Sequence, residues 1–343
     1  MKTKKPSVLI IYTGGTIGMI KDASTGELKS FNFKHIYEHV PELKRLNVIL
    51  ESISFEQPID SSEMTPSHWA QMAQMVHDNY KNFDGFVILH GSDTMAYGAS
   101  ALSFMLQGLR KPIILTGSQL PIGTIRTDGK ENLITAIEIA ADRDQSGEAI
   151  VQEVAVYFEY SLYRGNRSSK ISANQFEAFN SPNFPELAVA GVNIEYRFDK
   201  LYRTKLPELQ YFPKINSRVG LMKIYPGIPF DAYQNVFDTQ YTEAVIIETF
   251  GSGNAPSDLI FRSLIENYMA KGGIVLNITQ CGSGSVHQGK YETSTYFNKI
   301  GVLSGGNMTT EAALAKLMHI LAYYNTPNDR IQKLTASICG ERE

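Results

Sequence analysis

Apolar residues in this chain come in short bursts that end on glycine, serine or threonine, and a helical pattern follows several of them. Val8–Tyr12, Phe86–His90 and Ile113–Thr116 are such bursts, with the Val, Ile and Leu content of strands buried on both faces. Between the first two, Trp69, Met72, Ala73, Val76 and Tyr80 recur at helical spacing. They predict a helix over Pro66–Tyr80, with Thr65 as N-cap and Pro66 at the first helical position. Met95–Leu109 and Lys130–Ala141 carry further helical patterns, the second opened by Asp128-Gly129. Strand and helix alternate, so this half predicts an α/β domain around a mainly parallel sheet.

Beyond the Val154–Phe158 burst the texture changes. Pro182, Pro185, Pro207 and Pro213 punctuate a polar stretch, and Ile194–Ser217 reads as an interdomain connection holding an edge strand. Apolar bursts resume at Val219–Ile224, Ala244–Thr249 and Gly273–Ile278. Helical patterns cover Ser257–Lys271, stopped by Gly272-Gly273, and Thr310–Tyr323. The expected fold is therefore α/β. A larger N-terminal α/β domain with a mainly parallel sheet spans 1–193, a linker spans 194–217, and a smaller C-terminal α/β domain spans 218–343.

Composition narrows the function classes. The chain has 343 residues, too many for one ordinary core, and a net charge of −3, which gives no reason to expect nucleic acid or an anionic membrane as partner. Two cysteines, Cys281 and Cys339, make no disulfide framework and suit a reducing, cytoplasmic location. The basic start and the apolar Val8–Tyr12 resemble a leader only briefly, because Thr13-Gly14-Gly15 interrupts the run.

In open α/β sheets ligands bind beyond the carboxyl ends of the strands. Thr13-Gly14-Gly15-Thr16, Gly91-Ser92-Asp93-Thr94 and Gly117-Ser118-Gln119 all fall at such ends, and adjacent strands would gather them into one crevice of hydroxyls, carboxylate and backbone amides. The glycine spacing does not fit a dinucleotide fingerprint or a P-loop. The histidines show no zinc-protease spacing, there are no paired cysteines, and no G-x-S-x-G elbow occurs. His35 and His39 share a helical face but read as an exposed pair. No metal and no cofactor are expected. Hydroxyl chemistry without a histidine base requires another proton acceptor, and a lysine held neutral can serve. Arg164-Gly165-Asn166-Arg167-Ser168-Ser169-Lys170 offers one, with cationic neighbours of the kind that favour a neutral amine.

Together these motifs resemble the asparaginase family. Thr-Gly-Gly-Thr-Ile-Gly (13–18), His-Gly-Ser-Asp-Thr-Met (90–95) and the stretch 164–170 stand in the family's order and separation. Asp60-Ser61-Ser62-Glu63-Met64-Thr65-Pro66 and Thr116-Gly117-Ser118-Gln119-Leu120-Pro121 are similar to its cytoplasmic, type I branch. Gly253-Asn254-Ala255-Pro256 and Thr279-Gln280-Cys281 extend the likeness into the second domain. The resemblance implies hydrolysis of L-asparagine to L-aspartate and ammonia by a homodimer or homotetramer. It implies Thr16 as the acylated nucleophile, and Ser92, Asp93 and Lys170 as a second catalytic set. Asp60, Ser61, Ser62, Ser92 and Asp93 would hold the substrate's charged ends, and Asn254 would reach into a neighbouring subunit's site.

The chain departs from the family pattern in places. Serine replaces the usual threonine at 92, losing the methyl that limits its rotamers. No lid tyrosine is evident in Asp22–Leu28, although glycine and short polar residues between Gly18 and Ser30 predict a lid over Thr16. Glu248 stands where some members carry an arginine of a regulatory asparagine pocket. The alternatives are a mixed glutaminase–asparaginase and the ammonia-releasing subunit of a tRNA-dependent amidotransferase. A non-catalytic binding module would have lost Asp93, Lys170 or a hydroxyl.

Overall fold

Side chains along the central strands alternate between two buried faces, which requires helices on both sides of the sheet. The computed structural model describes residues 5–21, 28–30, 38, 40–289 and 292–343. It divides into two compact units, Met1–Pro213 and Lys214–Glu343.

The first unit contains an eight-stranded sheet. Its strands are β1 (Ser7–Gly14), β2 (Ile49–Ile59), β3 (Gly85–Leu89), β4 (Ile113–Thr116), β5 (Val154–Phe158), β6 (Ser161–Arg164), β7 (Ala188–Ala190) and β8 (Ile194–Tyr196). They lie in the order β8-β7-β6-β5-β4-β3-β1-β2. The pairs from β2 to β5 are parallel, and those from β5 to β8 antiparallel. From β1 the chain builds β2 on one side and β3 on the other, so the strand order reverses at β1. That reversal opens a crevice beyond the carboxyl ends of β1 and β3.

Helix α1 (Pro66–Asn79) starts as its sequence predicts: Thr65 is the N-cap, and its backbone N–H donates to His68 Nδ1 at 3.1 Å. Helix α3 (Gly129–Ala141) buries Leu133, Ala136, Ile137 and Ala140 against Val8, Ile10, Tyr12, Val87, Leu89 and Ile114 on one face of the sheet. Each of the leucine, isoleucine and valine side chains contributes about 1.5–3 kcal/mol when fully buried. The intervening residues, Leu9, Ile11, Phe86 and Ile88, are equally buried on the other face. Helix α2 (Met95–Met105) is shorter than the expected Met95–Leu109. Leu106-Gln107 is extended and pairs with Gln210-Tyr211, and this long-range bridge ends the helix despite the continuing apolar pattern.

The second unit has a four-stranded, wholly parallel sheet in chain order, β9 (Val219–Lys223), β10 (Ala244–Thr249), β11 (Ile274–Thr279) and β12 (Leu303–Ser304). Phe261, Ile265 and Tyr268 of α4 (Leu259–Ala270) and Phe297 of α5 (Glu292–Ile300) form one core cluster. Residues of α6 (Thr310–Tyr323) and Leu334 of α7 (Pro327–Thr335) form another. Among the described residues no helix is long and apolar enough to cross a membrane. Residues 22–27 of the expected lid, as well as His35 and His39, lie outside the described residues.

Candidate active site

The site is assembled by strand register. β1 and β3 pair from Val8 opposite Gly85 to Tyr12 opposite Leu89, so the residues that follow the paired stretch, Thr13–Thr16 and His90–Thr94, emerge side by side. Thr13 Oγ1 donates to the Leu89 carbonyl at 3.0 Å and ties the two strand ends together. The backbones then touch. Gly15 has φ +84°, and a Cβ built on it would fall 2.6 Å from Gly91 Cα, so only glycine fits between the two loops. Immediately after it, Thr16 opens a short 3-10 turn, Thr16–Gly18, with its side chain half-buried.

The loop after β2 joins from the other side. Asp60 accepts from the Ser62 N–H at 2.8 Å and caps the turn Ser61–Glu63. Thr94 Oγ1 donates to the Ser61 carbonyl at 2.7 Å, and Ser61 Oγ lies where a Gly91 side chain would be. Hydrogen bonds from the Ser62 backbone and side chain hold the Asp60 carboxyl below the usual carboxylate range, so it is ionised at neutral pH.

Lys170 comes from the short strand Ser169-Lys170, which pairs with Phe179-Asn180. Its Nζ donates to Ser92 Oγ at 2.8 Å and to Asp93 Oδ1 at 2.7 Å. The cationic crowding expected of the 164–170 stretch takes a different form. Arg164 pairs with the buried Glu153 at 2.7 Å and lies over Phe184, and the Arg167 guanidinium also lies over that ring. The two arginines thus brace the unit's interior, and the charged group in contact with Lys170 is the Asp93 carboxylate.

Two further residues support these loops from the interior. His90 is buried, and burial lowers its pKa to about 4 against a smaller opposing effect of its hydrogen bond to Gly91. Its Nδ1 lies 2.7 Å from the Gly91 carbonyl, which can only accept, so Nδ1 carries the proton. Asp128 opens helix α3 as its N-cap, as the sequence predicts, but turns its carboxylate onto the Gln119 and Leu120 N–H groups at 2.8 and 3.1 Å and not onto the helix's own N–H groups. Burial raises its pKa, and those two N–H bonds oppose the rise. Gln119 itself, which sequence grouped with the third strand-end cluster without a role, has its side chain 3.3 Å from Ser92 Oγ.

Thr16, Asp60, Ser61, Ser62, Ser92, Asp93 and Lys170 therefore belong to converging loops of the first unit. Asn254 belongs to the second unit. It closes a tight hairpin in which its N–H donates to the Phe250 carbonyl at 2.8 Å, and the left-handed residues there are Gly251 and Gly253, not Asn254. Backbone conformation does not explain why asparagine occupies this place. Among the described residues no cluster of His, Cys, Asp and Glu has the arrangement of a metal site.

Comparison with known proteins agrees with this architecture. Residues 7–202 match the asparaginase N-terminal family, and 218–334 match the glutaminase/asparaginase C-terminal domain. The chain is 40% identical to L-asparaginase 1 of Escherichia coli, over 93% of each protein. It superimposes on the crystal structure of L-asparaginase I from Vibrio cholerae with a TM-score of 0.89 at 38% identity, covering 99% of this chain and 100% of that one. A glutamyl-tRNA(Gln) amidotransferase subunit of Pyrococcus abyssi is more distant, at 32% identity over 98% of this chain and 76% of that protein.

Proposed function

The chain belongs to the asparaginase family of amidohydrolases, and from that premise we propose that it hydrolyses L-asparagine to L-aspartate and ammonia through an acyl-enzyme on Thr16. One observation carries the reading: a lysine amine in contact with both a hydroxyl and a carboxylate, Lys170 with Ser92 and Asp93, on the loop against which the Thr16 turn is packed.

In this reading Thr16 Oγ1 bonds to the side-chain amide carbon, the C–N bond breaks, and the leaving nitrogen takes a proton to depart as ammonia. Water then adds to the acyl carbon, the C–Oγ1 bond breaks, and the proton returns to Thr16. Lys170 and Ser92 carry protons between these groups, and Asp93 orients the lysine. Backbone N–H groups of the Ser92–Thr94 turn are the donors for the developing oxyanion. Asp60, held ionised by its hydrogen bonds, and the Asp93 side chain meet the substrate's ammonium, while Ser61 and Ser62 meet its α-carboxylate. Asn254 completes the site from the neighbouring subunit, which makes the protein a homodimer or homotetramer; its place is the cytoplasm.

L-Glutamine is the nearest rival substrate, since one methylene changes selectivity by about 1–3 kcal/mol. Ammonia release from L-asparagine, L-glutamine and D-asparagine tests the reading. Preference for L-asparagine supports it, and no release from any of the three refutes it.

A further inference from the structure

A serine at position 92 has no β-methyl to restrict χ1, so its hydroxyl keeps one orientation only if something outside it supplies the restraint. Gln119 does so. Its amide nitrogen donates to the Gln175 carbonyl at 2.9 Å, and a carbonyl can only accept, so the other end of the amide, Oε1, must face Ser92. Ser92 Oγ therefore gives its proton to Gln119 and turns its lone pairs to Lys170 Nζ at 2.8 Å. Gln175 lies in the segment directly after Lys170, where its N–H is fixed by Ser172 Oγ at 3.0 Å. The contacts close a ring: Lys170 to Ser92, Ser92 to Gln119, Gln119 to the strand end that carries Lys170.

The ring is anchored from below. Asp128 holds the Gln119 and Leu120 N–H groups, and Asn132 Nδ2 donates to the Gly117 carbonyl at 3.0 Å. The start of helix α3 thus fixes the Gln119 backbone, and the side chain passes that order to Ser92.

We propose that Gln119 is a positioning residue for the reaction: its amide sets the rotamer of the Ser92 hydroxyl and thereby keeps the lysine–hydroxyl pair aligned. The proposal rests on the reading of Lys170 and Ser92 as a proton-carrying pair.

The test is steady-state ammonia release from L-asparagine by the full chain. Methionine matches the length of glutamine without its amide. Gln119→Met should lower kcat about fivefold to tenfold, the effect of one lost hydrogen bond, with KM within about twofold. The decisive arm repeats the substitution in a Ser92→Thr background. The added methyl limits χ1 by itself, so Gln119→Met should there lower kcat by less than about twofold. An unchanged kcat in Gln119→Met, a change in KM alone, or an equal kcat loss in both backgrounds would each overturn the proposal. Lys170→Met in the same assay separates the two levels. If it is inactive while Gln119→Met is normal, only the role of Gln119 fails. If it is active, the reading of the pair falls, and this proposal with it.

Discussion

Two lysine–carboxylate pairs, one in each unit, have the same length and opposite character. Lys170–Asp93 and Lys316–Glu341 both measure 2.7 Å. Lys316 and Glu341 are completely buried, and every neighbour completes the pair. The Leu334 and Ala336 carbonyls accept from Lys316, and the Ile338 and Cys339 N–H groups donate to Glu341. Burial pushes the Lys316 amine down, with Glu341 opposing. Burial pushes the Glu341 carboxyl up, but Lys316 and the two N–H groups outweigh it and hold it below its usual range. That pair is a staple between α6 and the end of the chain. In the first unit the Asp93 side chain is 64% exposed, and Lys170 shares its amine with a hydroxyl. An open pair can exchange partners with a ligand, and a closed one cannot. Distance does not separate the two roles; completeness of the surrounding partners does.

The comparison predicts opposite responses to the same substitution. Lys170→Met should reduce kcat at least about a thousandfold, because residues acting as one catalytic unit fail together, and adding Asp93→Asn should cost little more. Its effect on stability should stay within about 1 kcal/mol, as for exposed pairs. Lys316→Met should do the reverse. It leaves Glu341 buried without its cation and should cost about 3–5 kcal/mol, read from the urea midpoint, with the kcat of the folded fraction unchanged. The double change Lys316→Met/Glu341→Leu should recover only part of that loss, because it removes the uncompensated carboxylate but leaves the Leu334 and Ala336 carbonyls and the Ile338 and Cys339 N–H groups without these partners. A double variant less stable than Lys316→Met would mean that the lone carboxylate is not what costs.

A third carboxylate sharpens the contrast from the side of missing cations. Glu159 sits with Tyr160 in the two-residue turn between β5 and β6, both at positive φ. Burial, then Asp128, Glu131 and Glu177, raise its pKa to about 7. A raised carboxyl favours the protonated form, so its stabilising contribution is complete below about pH 4.5 and is lost as pH rises through about 7. Glu159→Gln should equal the parent near pH 4.5 and exceed it at pH 8 by about 1 kcal/mol, a figure reduced for solvent screening. Parallel unfolding midpoints for variant and parent across that range would contradict it.

Elements with a strong local signal were legible in the sequence, and those made by distant partners were not. Thr310–Tyr323 and Ile113–Thr116 have the predicted bounds because one helix stripe or one apolar run defines each. Strand β2 escaped that criterion. It is an edge strand with most of its side chains at least partly exposed, and it contains Pro58, which an edge tolerates. Helices α5 and α7 escaped because their polar faces dilute the apolar stripe. Within the site, the strand-end clusters were readable from placement alone. Lys170 was marked by its cationic stretch and by the family resemblance, and the first of these signals misled, because the arginines turn to Glu153 and Phe184 instead of to the lysine. The roles of Gln119 and Asp128 appear only once α3 and the loop after β4 are brought together.

The proposed chemistry of the open cluster at the strand ends is acyl transfer at Thr16. The most direct test is to quench the enzyme with acid during turnover of L-asparagine and map its peptides by mass spectrometry. A β-aspartyl adduct is expected on the peptide containing Thr16, and it should be lost in Thr16→Ala while the fold survives. An adduct on the Ser92 peptide, or acylation that persists in Thr16→Ala, would contradict it.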